Sequence, residues 1–230
     1  MIAGEEMGWI GLKAQDGQAL RAWEAKAEGK PQGALVVLQE IFGVNAHIRA
    51  LCDRYAAHGW HALAPSLFDR AGGPSAGLGY QAGDMAQGRA LKGRLTDEQA
   101  LLDVNAAVDH ASATDLPVAV IGFCWGGTLA WLSACRNPKL TAAVAYYGTN
   151  IAGYRTETPR VPVLLHFGEH DTHIPQADVQ AIADAQPQVR IHRYDAGHGF
   201  NCDERPAFHA SSAALAADRT FAFLKEHLSC

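Results

Sequence analysis

The residue best placed for covalent chemistry is Cys124, in Gly122-Phe123-Cys124-Trp125-Gly126-Gly127. This hexapeptide follows the apolar run VAVI (118–121) and leads into Thr128-Leu129-Ala130-Trp131-Leu132, so the cysteine stands at a strand-to-helix turn. In a Gly-x-nucleophile-x-Gly turn the chain bends so tightly that side chains two residues to either side would collide. The bend pushes the sulfur outward and aims a helix N-terminus at it, which favours a thiolate. Composition alone would produce this pattern roughly 0.05 times in a chain of this length. The competing reading is a buried cysteine that packs as a small apolar side chain between glycines.

A thiol nucleophile needs a base, and the base needs a group to orient it. Asp171 closes Phe167-Gly168-Glu169-His170-Asp171, just after the apolar run VPVLLH (161–166). His198 lies further on, in Ala196-Gly197-His198-Gly199-Phe200, after the run 189–194. Both stand at strand ends, where open α/β sheets build their sites. His198 would exchange a proton with Cys124, and Asp171 would fix the imidazole's tautomer and orientation. His166, His170 and His173 surround the acid strand and raise the alternative of a metal, but no His-Glu-x-x-His or comparable spacing exists. These three are read as turn or supporting residues, and the chemistry is expected to need neither metal nor cofactor.

The elements that must carry these groups alternate. Continuous apolar runs at 34–39, 61–64, 118–121, 142–147, 161–166 and 189–194 read as strands, the longer ones buried on both faces. Thr96 and Gln99 form a capping box ahead of Leu101, Val104 and Val108. Pro175 suits a first helical turn before Val179 and Ile182, and a final helix is expected from near Phe208 to Leu228. The Gly- and Ser-rich stretch 72–83 reads as a surface loop. Strands alternating with helices imply an α/β fold: a mainly parallel sheet with helices on both faces, as one domain over residues 1–230.

Composition narrows the partners. The 230 residues are 48% hydrophobic and 19% charged, with net charge −5, which excludes charge-driven disorder. No basic field exists to hold a phosphate backbone, so nucleic acid is not expected. Cysteines at 52, 124, 135, 202 and 230 are odd in number and irregularly spaced, which argues against a disulfide framework and for a reducing compartment. Glu5 and Glu6 stand where a signal peptide would need basic and apolar residues. Residues 116–135 carry no formal charge, yet Pro117, Gly122, Gly126 and Gly127 interrupt them. A strand followed by a buried helix explains that stretch better than a membrane span. The expected setting is cytoplasmic, without membrane attachment, as a monomer or weak homodimer.

Taken together, these residues resemble the dienelactone hydrolase family, a cysteine-using branch of the α/β-hydrolases. The likeness runs through Gln39-Glu40-Ile41-Phe42-Gly43-Val44-Asn45, the Cys124 turn, Tyr146-Tyr147-Gly148, Gly168 to Asp171, Ala196 to Phe200, and Ala213-Ala214-Leu215 through Arg219-Thr220. The resemblance implies the α/β-hydrolase fold and a triad of Cys124, Asp171 and His198. It implies a role for Glu40 as acceptor of the thiol proton when substrate binds. It also implies an oxyanion hole built from the backbone N–H groups of Ile41 and Trp125. Hydrolases of chlorocatechol-derived dienelactones hold the substrate carboxylate with two arginines. Arg89 matches one by position, but Cys202 stands where the other would be, with Arg205 close by. The expected substrate is therefore a small lactone or ester, carboxylate-bearing if Arg89 and Arg205 serve. A carboxylesterase or thioesterase with another pocket, or a silent binding or redox-sensing relative, remain the alternatives.

Overall fold

A computed structural model describes residues 8–228; Glu5, Glu6 and Cys230 lie outside the described residues. The chain divides into two units, Met1–Pro117 and Val118–Cys230.

The first unit opens with β1 (Trp9–Lys13) and β2 (Ala19–Ala25), followed by β3 (Ala34–Leu38), α1 (Ala46–Ala57), β4 (His61–Pro65), α2 (Ala82–Lys92) and α3 (Asp97–Ser112). β1 pairs antiparallel with β2 and β2 with β4, whereas β3 runs parallel to β4. β3 is buried at every position, as the apolar run requires of a strand covered on both faces. α1 starts at Asn45, whose side chain accepts from the Ile48 N–H at 3.2 Å. The expected capping box opens α3: Gln99 N–H donates to Thr96 Oγ1 at 3.1 Å, and Thr96 N–H to Gln99 Oε1 at 3.0 Å. The stretch read as loop, 72–83, ends short of its expected boundary, because α2 starts within it at Ala82, where Asp84 accepts from the Gln81 N–H at 2.8 Å.

The second unit carries β5 (Val118–Phe123), α4 (Trp125–Arg136), β6 (Leu140–Tyr146), β7 (Val163–Gly168), α5 (Gln176–Ala185), β8 (Arg190–Tyr194) and α6 (Ala210–Leu228). β5, β6, β7 and β8 pair in that order, all parallel. β5 and β7 are buried throughout, with α4 against β5 and β6 and α6 against β5, β6 and β7. The charge-free stretch 116–135 resolves into β5 and α4, which is buried from Trp125 to Cys135. No helix among the described residues is long and apolar enough to cross a membrane.

Several boundaries differ from the sequence expectation for local reasons. β7 starts at Val163, because Pro162 has no N–H to give the ladder, although its carbonyl still accepts from Ala143 at 3.0 Å. Pro175 precedes α5 as its cap residue instead of sitting in its first turn. α6 begins at Ala210, and Phe208 lies exposed before it, closed in a turn by its N–H on the Arg205 carbonyl.

Candidate active site

The turn between β5 and α4 has the geometry its sequence demands. Cys124 is the cap residue of α4 at φ 54°, ψ −118°, a region that costs a non-glycine residue about 1–3 kcal/mol and that the surrounding structure must enforce. It is enforced from both sides. Cys124 N–H donates to the Tyr146 carbonyl at 3.0 Å, and the Cys124 carbonyl accepts from Gly127 and Thr128 at 2.9 and 3.3 Å. A Cβ at position 122 would run into the Gly126 carbonyl, so glycine there is a steric requirement. The bland alternative of a packed core cysteine does not explain why a buried strand should end in this conformation.

His198 meets the thiol. Its Nε2 lies 3.2 Å from Cys124 Sγ and its Nδ1 2.7 Å from Asp171 Oδ2. The other carboxylate oxygen accepts from the backbone N–H groups of His173 at 2.8 Å and Ile174 at 3.2 Å. Both Asp171 oxygens therefore have donors, which is how a carboxylate with no exposed side-chain surface is tolerated. Burial pushes the His198 imidazole toward its neutral form. Hydrogen bonds to Asp171 and to Cys124, with the charges of both, outweigh that and hold its pKa up to about 10. The ring is boxed in: Tyr147, itself buried at φ 40°, stands edge-on at 5.0 Å between centroids, and the His173 ring lies tilted at 4.7 Å. Neither contact was anticipated from the sequence. The Tyr-Tyr-Gly at the end of β6 was a signal for the first, since a buried aromatic before glycine marks a chain bending sharply out of a sheet.

The remaining candidates fall into two groups. In the second unit, Trp125 opens α4, where the first-turn N–H groups point out of the helix end. The Arg205 guanidinium packs over Gly199, next to His198, while Cys202 is fully buried. In the first unit, Glu40 follows β3 in a buried turn, with its carbonyl accepting from Gln39 Nε2 at 3.3 Å and Gly43 N–H at 3.4 Å. The Ile41 carbonyl lies against Gly88 of α2 so closely that no Cβ fits there. Arg89 is exposed on α2.

The three histidines around the acid strand separate. His166 is fully buried, with Nδ1 on the Tyr194 hydroxyl at 2.7 Å and Nε2 on Thr220 Oγ1 at 3.0 Å. His170 pairs with Asp195 at the surface. Only His173 approaches Asp171, its Nδ1 3.8 Å from Oδ1.

A thiol on a strand-to-helix turn, followed along the chain by a carboxylate and an imidazole that hydrogen-bond in series, is an arrangement found in ester-cleaving α/β-hydrolases. Comparison with known proteins agrees. Residues 20–228 match the dienelactone hydrolase family, and the chain belongs to that family. It is 35% identical to an Escherichia coli (strain K12) protein named as a candidate carboxymethylenebutenolidase, over 96% of this chain and 87% of that one. It is 31% identical to the carboxymethylenebutenolidase of Pseudomonas putida, over 94% of each. The crystal structure of a candidate dienelactone hydrolase from Klebsiella pneumoniae superposes with a TM-score of 0.82 at 30% identity, over 95% of this chain and 99% of that one. The fold is thus the α/β-hydrolase one, and the protein is a hydrolase that acts on ester bonds.

Proposed function

We propose that the chain hydrolyses a lactone or small carboxylic ester through Cys124, His198 and Asp171, by way of an acyl-enzyme thioester. The observation that carries the reading is the unbroken series Sγ, Nε2, Nδ1, Oδ2, at 3.2 Å and then 2.7 Å. Cys124 Sγ attacks the substrate carbonyl with its proton held on His198 Nε2. The C–O bond then breaks as the imidazolium protonates the leaving oxygen. Water, deprotonated by His198, attacks the thioester and returns Cys124 to its starting state. Asp171 keeps the Nδ1 proton in place throughout, so that Nε2 faces the sulfur. The oxyanion would rest on the backbone N–H groups of Ile41 and Trp125, and Glu40 would assist in taking the thiol proton when substrate enters; both roles follow from the family resemblance.

On substrate, the relatives' names favour a carboxymethylene butenolide, an anionic lactone. Arg205 beside the His198 loop and exposed Arg89 are the proposed carboxylate partners. A second reading is favoured by Cys202, a buried neutral residue where the family pattern carries a cation: a general cysteine esterase with no carboxylate clamp. A reducing, cytoplasmic setting fits the free thiols of Cys52, Cys124, Cys135 and Cys202. The reading treats residues 1–230 as one catalytic domain, a monomer or weak homodimer. Rates on paired anionic lactones and neutral esters, with and without iodoacetamide, test it. Iodoacetamide should abolish all hydrolysis by alkylating Cys124. Turnover that survives full alkylation of Cys124 would refute the mechanism.

A further inference from the structure

We propose that Asp171, His173 and His198 form a binding site for a zinc-class divalent cation, and that filling it inhibits the hydrolase. Two imidazoles converge on one carboxylate. His198 Nδ1 lies 2.7 Å from Oδ2, and His173 Nδ1 lies 3.8 Å from Oδ1. One ligand atom from each of the three residues falls within 4.8 Å of the other two. A four-coordinate zinc with bonds of about 2.0–2.2 Å holds its ligand atoms roughly 3.3–3.6 Å apart. The His198 separation, to Oδ2, lies below that range and the His173 separation, to Oδ1, lies above it. Closing the site therefore means that zinc replaces the His198–Asp171 hydrogen bond and spreads that pair while the His173 ring swings inward. His173 is the ring able to rotate and the route of entry, because its side chain is 52% exposed whereas that of Asp171 has no exposed surface. Two imidazoles, one carboxylate and a water make a donor set that suits zinc and copper and suits magnesium poorly.

The consequence follows from what is displaced. Zinc takes the Nδ1 lone pair of His198 in place of the Nδ1 proton, which leaves to solvent, and no electron is transferred. The imidazole is then tied to a cation instead of being steered by a carboxylate, and the adjacent positive charge opposes proton uptake at Nε2. The base that serves Cys124 is lost. This site is separate from capture of metal by the thiol, since Cys124 Sγ faces the opposite ring nitrogen, Nε2. His166 and His170 do not contribute, being engaged by Tyr194 and Thr220 and by Asp195.

The test is zinc binding by the full chain at pH 7.5, read by competition with a chromophoric chelator, beside the rate of p-nitrophenyl acetate hydrolysis. The expected result is one tight zinc per chain, with inhibition that a chelator reverses and that magnesium does not produce. Losing a ligand in His173→Phe, which keeps a ring beside His198, should weaken binding at least about tenfold. Inhibition in that variant is to be measured against its own metal-free rate. Cys124→Ala should bind zinc within about threefold of the parent chain. No stoichiometric zinc, unchanged affinity in His173→Phe, or loss of binding in Cys124→Ala would each overturn the site. Stoichiometric zinc at this site without inhibition would overturn the proposed inhibition and, separately, the role of His198 as base.

Discussion

Asp171→Asn isolates the part of the arrangement that geometry makes most exact. The amide oxygen can still accept from the His173 and Ile174 N–H groups, now at 2.8 and 3.2 Å, so the loop should keep its shape. The amide nitrogen then takes the place of Oδ2, 2.7 Å from His198 Nδ1, and it is a donor. Nδ1 must accept, and the imidazole proton moves to Nε2, facing the sulfur that Nε2 was to deprotonate. Losing a charge-assisted hydrogen bond costs about 1.5–3 kcal/mol, or roughly 10- to 150-fold. The wrong tautomer can bring the total to on the order of 10⁴ in a triad. Steady-state hydrolysis of p-nitrophenyl acetate should therefore fall by on the order of 10²- to 10⁴-fold in kcat, toward the lower end if Glu40 also takes the thiol proton. NMR titration should show the His198 pKa falling from about 10. A folded variant, by near-UV circular dichroism, with kcat within about threefold of the parent would refute the assigned role of Asp171.

Three further outcomes are expected. Arg70 lies between Asp16 and the wholly buried side chain of Asp103, 2.7 Å from the latter; Arg70→Met should lower the unfolding free energy in urea by about 3–5 kcal/mol, because it strands a buried charge. Burial first, and then the charges of His192 and Arg219, hold His166 neutral well below the usual imidazole range. Stability from this residue is thus complete above the unfolded pKa near 6.5 and should decline as pH drops below it, by up to about 1.4 kcal/mol per unit; the slope should flatten in His166→Gln. Arg205→Ala or Arg89→Ala should raise KM for a carboxylate-bearing lactone about 10- to 100-fold while scarcely changing that for a neutral ester. No change on either substrate would favour the general esterase.

The parts of this molecule that sequence made legible are those where one constraint dominates. Buried parallel strands must be apolar on both faces, so β3, β5 and β7 stood out as uninterrupted runs. The turn at Cys124 could be read because a single steric demand dictates its glycines. β1 and β2 were missed: they are half-exposed, with Lys13, Arg21 and Glu24 set among apolar residues, and only the alternation between faces marks them. Periodicity marked neither α1 nor α2, because short amphipathic helices flanked by glycine carry a weak pattern. The placing of His173 beside His198 depends on the turn after Asp171, which its carboxylate organises by accepting two backbone N–H groups. Such a contact is set by tertiary geometry, and residue spacing does not encode it.

The central claim is that Cys124 Sγ carries the acyl group, and mass spectrometry of the acid-quenched enzyme during turnover of a slowly hydrolysed ester tests it most directly. The account predicts an adduct equal in mass to the acyl group on the peptide bearing Cys124, absent in Cys124→Ala, which should retain its fold and lose hydrolysis. An adduct on any other residue, or full-rate hydrolysis by Cys124→Ala, would contradict it.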